Sequence, residues 1–103
     1  MIHLLEEHRE AMAELCRRFH VARLEVFGSA LDAERFDEKS SDLDFLVEFL
    51  PLEPGQRADA YFGLLEALQD LFRRGVDLVM PRAIRNRYFL EAINRERTPI
   101  YAA

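Results

Sequence analysis

Apolar residues in the first twenty positions recur at helical intervals. Leu5, Met12, Leu15, Cys16 and Phe19 fall at steps of three, four and seven, while Glu6, Glu7, Glu10, Glu14, Arg17 and Arg18 take the other faces, which predicts an amphipathic helix over 2–19. His8 lies on or beside the apolar stripe. The period then drops to two. In VARLEVF, 21–27, Ala22, Leu24 and Val26 share one side, as residues of a strand do, and the run stops at Gly28. A short helical turn opening at Ser29, a favoured N-cap residue, and a charged loop to residue 41 follow. LDFLVEF, 43–49, is rich in strand-forming residues and predicts a second strand.

LPLEPG, 50–55, breaks the pattern with two prolines and a glycine. Helical spacing returns from about 57 to 74, with Ala58, Tyr61, Phe62, Leu65, Leu68 and Phe72 as the expected buried stripe. Arg73 and Arg74 sit at the negative end of its dipole, and Gly75 suits the residue just past its end. VDLVM, 76–80, predicts a third strand. Pro81 stops it and can open a last helix over about 82–95, with Ile84, Tyr88, Phe89 and Ile93 turned inward. Thr98 to Tyr101 reads as a short final strand or extended chain. The alternation predicts an α+β fold, a small mixed sheet flanked by helices. The short, irregular link between the first two strands makes them antiparallel partners.

Length and charge narrow the possibilities. The 103 residues fit one domain, 1–103, large enough to form a core without disulfides. Cys16 is the only cysteine, reads as a small buried hydrophobe and suits a reducing, cytoplasmic setting. No stretch approaches the roughly 20 apolar residues of a membrane helix, and the start does not read as a secretory signal. The net charge of −5 is divided unevenly: residues 1–72 hold 7 basic and 16 acidic groups, and residues 73–103 hold 7 arginines and 3 acids. An acidic body argues against direct nucleic-acid binding, which needs a basic surface for phosphates.

Three features carry candidate chemistry. Asp42 and Asp44 stand two apart at the head of a strand, so both point to one face, roughly 6–7 Å apart, while Leu43 and Phe45 face the core. Paired carboxylates suit Mg²⁺, a hard ion that takes oxygen ligands and shares them with phosphates. A D-x-D pair is common by chance, and two solvated acids at a strand's mouth are the plain alternative. Gly28-Ser29 closes the preceding strand, where a glycine lets the backbone approach a phosphate and N–H groups point outward. It matches neither the P-loop nor the dinucleotide fingerprint. Asp77 interrupts the apolar run VDLVM, a costly place for a charge unless a metal or an arginine uses it. If its strand neighbours the second one, the three aspartates form a trio that can bind metal and draw a proton from a hydroxyl.

The series FGSA, SDLDFLVEF and VDLV resembles the polymerase-β-like nucleotidyltransferases over nearly the whole chain. It looks most like the minimal nucleotidyltransferases, the antitoxins of HEPN/MNT toxin–antitoxin pairs. That resemblance implies the nucleotidyltransferase fold. It implies that Gly28 and Ser29 hold the triphosphate of ATP. It also implies that Asp42, Asp44 and Asp77 bind Mg²⁺ (two ions) and carry catalysis. The implied reaction is AMPylation: AMP passes from Mg-ATP to a tyrosine of a partner HEPN ribonuclease toxin, which is silenced. Two departures stand out. Twelve residues separate Ser29 from Asp42, more than the family usually has, and Ala30, Leu31 and Asp32 follow the Gly-Ser pair where many members carry an arginine. Arg35, Lys39 or an arginine of the tail could take its place.

Other functions remain open at this level. A non-catalytic antitoxin would neutralise the toxin by masking its RNA site with an acidic body. Transfer onto a small molecule would need an added domain or a homodimer. In each toxin reading the acceptor comes from a partner protein, in a hetero-oligomer with the toxin.

Overall fold

The computed structural model describes residues 2–31, 34, 37, 41–81, 87, 88, 91 and 97–103, without the side chain of Ser29. The elements among them are α1 (His3–Glu7), α2 (Arg9–Arg18), β1 (Val21–Phe27), a 3-10 turn (Gly28–Leu31), β2 (Leu43–Phe49), α3 (Pro54–Phe72), β3 (Val76–Val79) and β4 (Arg97–Ala102). The four strands form one sheet in the order β3-β2-β1-β4. β1 runs antiparallel to both β2 and β4, and β2 pairs with β3 in parallel. The mixed sheet and the antiparallel first pair are those the pattern predicts.

The N-terminal helix is divided where one continuous helix was expected. At His8 the backbone N–H bonds the carbonyl of Leu5 rather than that of Leu4. The imidazole Nδ1 takes over the Leu4 carbonyl at 2.8 Å, and the ring meets the edge of Phe72 with centroids 5.2 Å apart. The side chain thus replaces the helical bond that its own backbone gives up.

α3 starts earlier than expected, inside the proline-glycine break. Pro54 occupies the first turn, where its missing N–H costs nothing, and Glu53 and Gln56 close a reciprocal capping box. Of the expected inward stripe, Leu68 and Phe72 are buried and Tyr61 and Leu65 pack at the core's margin, but its centre is shifted. Ala60, Leu64, Leu68 and Phe72 are buried, whereas Ala58 is exposed and Phe62 is 64 % exposed. Apolar residues surround this helix, so spacing alone does not fix which side faces the sheet. Gly63 settles the phase, because a Cβ there would strike the ring of Phe19. The helix ends on Arg73, which adopts a left-handed conformation (φ 52°) and donates its N–H to Gln69, so Gly75 is not the terminating residue.

One cluster joins α1, α2 and α3 to one face of the sheet. Leu5, Met12 and Cys16 meet Leu24, Val26, Leu43, Phe45, Val47, Leu64, Leu68, Phe72 and Leu78, and Phe45 stacks on Phe72 at 6.3 Å. Each full burial of a Leu or Phe here contributes about 1.5–3 kcal/mol. The intervening residues of the strands, Glu25, Phe27, Asp44, Leu46, Asp77 and Val79, belong to the other face. β4 spans Arg97–Ala102, one residue beyond the expected strand at each end, with Ile100 in the core. Of the expected last helix, Arg87, Tyr88 and Glu91 are helical; Tyr88, expected inward, is 80 % exposed, and Ile84, Phe89 and Ile93 lie outside the described residues. No described helix is long and apolar enough to cross a membrane.

Candidate active site

The parallel pairing of β2 and β3 puts Asp44 directly opposite Asp77. Residues opposite each other in a sheet project to the same side, about 4.8 Å apart along the hydrogen-bonding direction. Leu43 and Phe45 are fully buried on the helical side, so Asp44 must point away from it, towards the other face. Asp42 immediately precedes β2, where the Leu43 N–H bonds the Gly75 carbonyl at 3.0 Å. Three aspartates from two chain segments thus meet at one end of one face.

Two glycines make room for them. Gly28 has φ 75°, a left-handed conformation that glycine adopts without strain, and a Cβ there would collide with the Asp44 carboxylate, whose Cγ lies 3.3 Å from that point. Gly75 stands in the same relation to Asp42: a Cβ would lie 2.8 Å from its Cγ. The close approach at position 75 is therefore to the carboxylate of Asp42 on the neighbouring segment. Ser29 sits in the 3-10 turn that begins at Gly28.

Electrostatics single out Asp44. Partial burial, the charges of Asp77 and Asp42, and a hydrogen bond shared with Asp77 push its pKa from 3.8 up to about 6. Burial and like charges both disfavour the ionised form, so the site holds a proton more tightly than water does. Strongly displaced carboxylates of this kind mark functional sites more often than bland surfaces.

The donor set fits a hard divalent cation. All three groups are carboxylates, and a positive ion would relieve the repulsion that helps to raise the Asp44 pKa. Among the described residues no group of three or more His, Cys, Asp or Glu side chains is gathered closely enough to hold a metal ion as it stands. Three carboxylates in an open row would leave a bound Mg²⁺ free to take further oxygens from phosphate and water.

Further groups around the site were given no role there by sequence reasoning. Glu25 is only 6 % exposed and lies between two guanidinium groups, Arg23 Nε at 3.1 Å and Arg97 Nε at 3.2 Å. Arg23 also reaches Glu48 at 2.9 Å. The available signal was an acid at the centre of a strand two residues before Phe27, but its partner Arg97 is brought by a strand seventy residues away. Tyr61 of α3 donates its hydroxyl to the Leu78 carbonyl at 2.5 Å and so ties the helix to the strand that carries Asp77. Arg74 Nη1 reaches the Ser41 carbonyl at 3.4 Å beside Asp42. Arg35 and Lys39, named as replacements for a phosphate contact, lie outside the described residues.

Comparison with known proteins gives a consistent picture. Residues 5–101 match the family model described as nucleotidyltransferase domain. A Methanocaldococcus jannaschii protein, provisionally assigned as a protein adenylyltransferase, is 31 % identical over 93 residues, covering 90 % of this chain and 87 % of its own. A solved structure of a provisionally assigned minimal nucleotidyltransferase superposes with a TM-score of 0.72 at 35 % identity, over 92 % of this chain and 91 % of that one. A Shewanella oneidensis complex of a tri-AMPylated HEPN toxin with its MNT antitoxin shares the fold alone: TM-score 0.60, 18 % identity, 96 % of this chain and 73 % of that one. The chain belongs to the nucleotidyltransferase domain family and has the minimal nucleotidyltransferase fold.

Proposed function

We propose that this chain transfers AMP from Mg-ATP to a hydroxyl of a partner protein, a tyrosine of a HEPN ribonuclease toxin, and thereby acts as its antitoxin. The observation that carries the reading is the row in which Asp44 faces Asp77, with Asp42 alongside and the Gly28 turn against Asp44. The sequence relative assigned to protein adenylyl transfer and the AMPylated toxin bound by an MNT antitoxin support the acceptor class.

Asp42, Asp44 and Asp77 would hold Mg²⁺, which supplies charge neutralisation on the phosphoryl oxygens. The Gly28-Ser29 turn would bring backbone N–H groups to the triphosphate, with the Ser29 hydroxyl as a further donor. Asp77, exposed on its strand, would accept the proton of an attacking hydroxyl. The acceptor oxygen forms a bond to the α-phosphorus, the bond from that phosphorus to the bridging oxygen of the β-phosphate breaks, and pyrophosphate leaves. The acceptor keeps AMP, and its proton resides on the carboxylate until solvent removes it.

The test is to incubate the protein with labelled ATP, Mg²⁺ and the HEPN-type protein encoded beside it, and to follow the mass of that partner. We expect a gain of one or more AMP units that disappears in Asp42→Asn and Asp44→Asn. Neutralisation that persists in both variants, with no gain in wild type, would replace catalysis by simple masking of the toxin.

A further inference from the structure

We propose that Arg97 binds the distal phosphates of the nucleotide and that Glu25 is the positioning residue that aims it; this deepens the transferase reading above and rests on it. The strand registers place Arg97 opposite Phe27, Phe27 opposite Asp44, and Asp44 opposite Asp77. One row therefore crosses all four strands on one face, cationic at β4 and anionic at β2 and β3. At about 4.8 Å per strand, the Arg97 and Asp44 backbones lie roughly 10 Å apart, and the Gly28 turn begins between them, directly after Phe27.

The polarity of this row matches that of the reaction. The α-phosphorus must lie beside the carboxylates, where the attacking hydroxyl loses its proton. The rest of the phosphate chain then has to run away from three negative side chains. Residues 28–34 contain no lysine or arginine, so the turn itself offers no side-chain cation. Arg97 stands at the far end of the row from Asp77, and a guanidinium presents paired N–H donors that match phosphate oxygens.

Its mounting also fits. Glu25 Oε2 engages Arg97 through Nε at 3.2 Å, and among the described residues the Arg97 side chain has no other hydrogen-bond or ion-pair partner. No described residue takes the terminal nitrogens, which suits them to an anion, and the side chain is 34 % exposed. Arg23, which holds the other oxygen of Glu25, is instead occupied at its end by Glu48. A buried carboxylate held by two guanidinium groups adds little stability over apolar replacements. Its place on the nucleotide face gives it a use that stability does not.

Calorimetric titration of the full chain with Mg-ATP and with AMP tests this, using wild type, Arg97→Gln, Arg97→Lys and Glu25→Gln. We expect Arg97→Gln to weaken ATP binding about 10- to 100-fold, the effect of losing a charged hydrogen-bond partner, and to change AMP binding less than about threefold. Arg97→Lys should recover part of the loss. Glu25→Gln should weaken ATP selectively by a smaller factor, and the double variant should be no worse than Arg97→Gln alone. ATP affinity unchanged in Arg97→Gln overturns the proposal, and loss of Asp44→Asn transfer activity would then leave the transferase reading standing. Equal losses for ATP and AMP with a lowered Tm would reduce the pair to a structural ion bridge. Failure of wild type itself to take up Mg-ATP would remove both readings.

Discussion

Replacing Asp44 with asparagine should stabilise the metal-free protein at neutral and alkaline pH while ending transfer. The native carboxyl titrates at about 6 against an ordinary value of 3.8. The native state therefore binds this proton more tightly than the unfolded chain does. The stability tied to that proton is whole below 3.8 and is lost as pH rises through about 6. Two pKa units at 1.36 kcal/mol each set a ceiling of about 3 kcal/mol. Asp44 is only partly buried and water screens part of the repulsion, so about 1–2 kcal/mol is the working figure. Asparagine carries no charge, and its amide can donate to Asp77 as the protonated acid does. For a chain of this length the gain corresponds to roughly 5–10 °C in Tm. Thermal unfolding of wild type and Asp44→Asn, in EDTA from pH 4 to 8, reads it directly. The two curves should converge at the acid end and separate above pH 6, and added Mg²⁺ should raise wild type only. A variant less stable than wild type at pH 8, or a wild-type Tm flat across the range, would refute the account of strain at Asp44.

Three further outcomes follow from the same geometry. Gly75→Ala should leave Tm nearly unchanged, because the exposed Asp42 side chain can swing aside, yet weaken Mg²⁺ binding about tenfold by titration; unaltered affinity would show that Asp42 is not fixed by this contact. Tyr61→Phe removes the bond to the Leu78 carbonyl and should cost about 1 kcal/mol, with faster hydrogen exchange concentrated in Val76–Val79; uniform exchange would count against a specific tie to β3. Burial pushes the Cys16 thiol up to about 12, so a disulfide reagent at pH 8 should modify it only as fast as the protein unfolds, and rapid labelling of the native state would contradict its burial.

What the sequence made legible depended on the range of the interaction. β1 and β2 were readable because alternation and strand-forming residues act within seven positions. The D-x-D pair was readable for the same reason, since i and i+2 share a face whatever lies beyond. The phase of α3 was legible only in part: Tyr61, Leu65, Leu68 and Phe72 meet the core as expected, but Phe62 and Leu64 are equally apolar, and the fit of Gly63 under the Phe19 ring favours Leu64. Gly75 was assigned to helix termination on local grounds, while its constraint comes from Asp42, thirty-three positions earlier. The split at His8 escaped notice because an imidazole substituting for a backbone donor leaves the apolar spacing intact. Arg97 and Glu25 were invisible as a pair, because no local pattern sets the register between the first and last strands.

Asp44 and Asp77 share a rung of the sheet only after α3 has crossed over and docked, since parallel neighbours cannot be joined by a tight turn. The carboxylate cluster is thus a product of the β2-α3-β3 crossover, at a cost in loop entropy and in proximity of like charges. A nascent or clipped chain that stops short of β3 would retain the Gly-Ser bend and the D-x-D pair, but would lack the opposing acid. Any affinity of this cluster for divalent ions would then report that the crossover has closed, since it depends on a long-range contact rather than on any single motif.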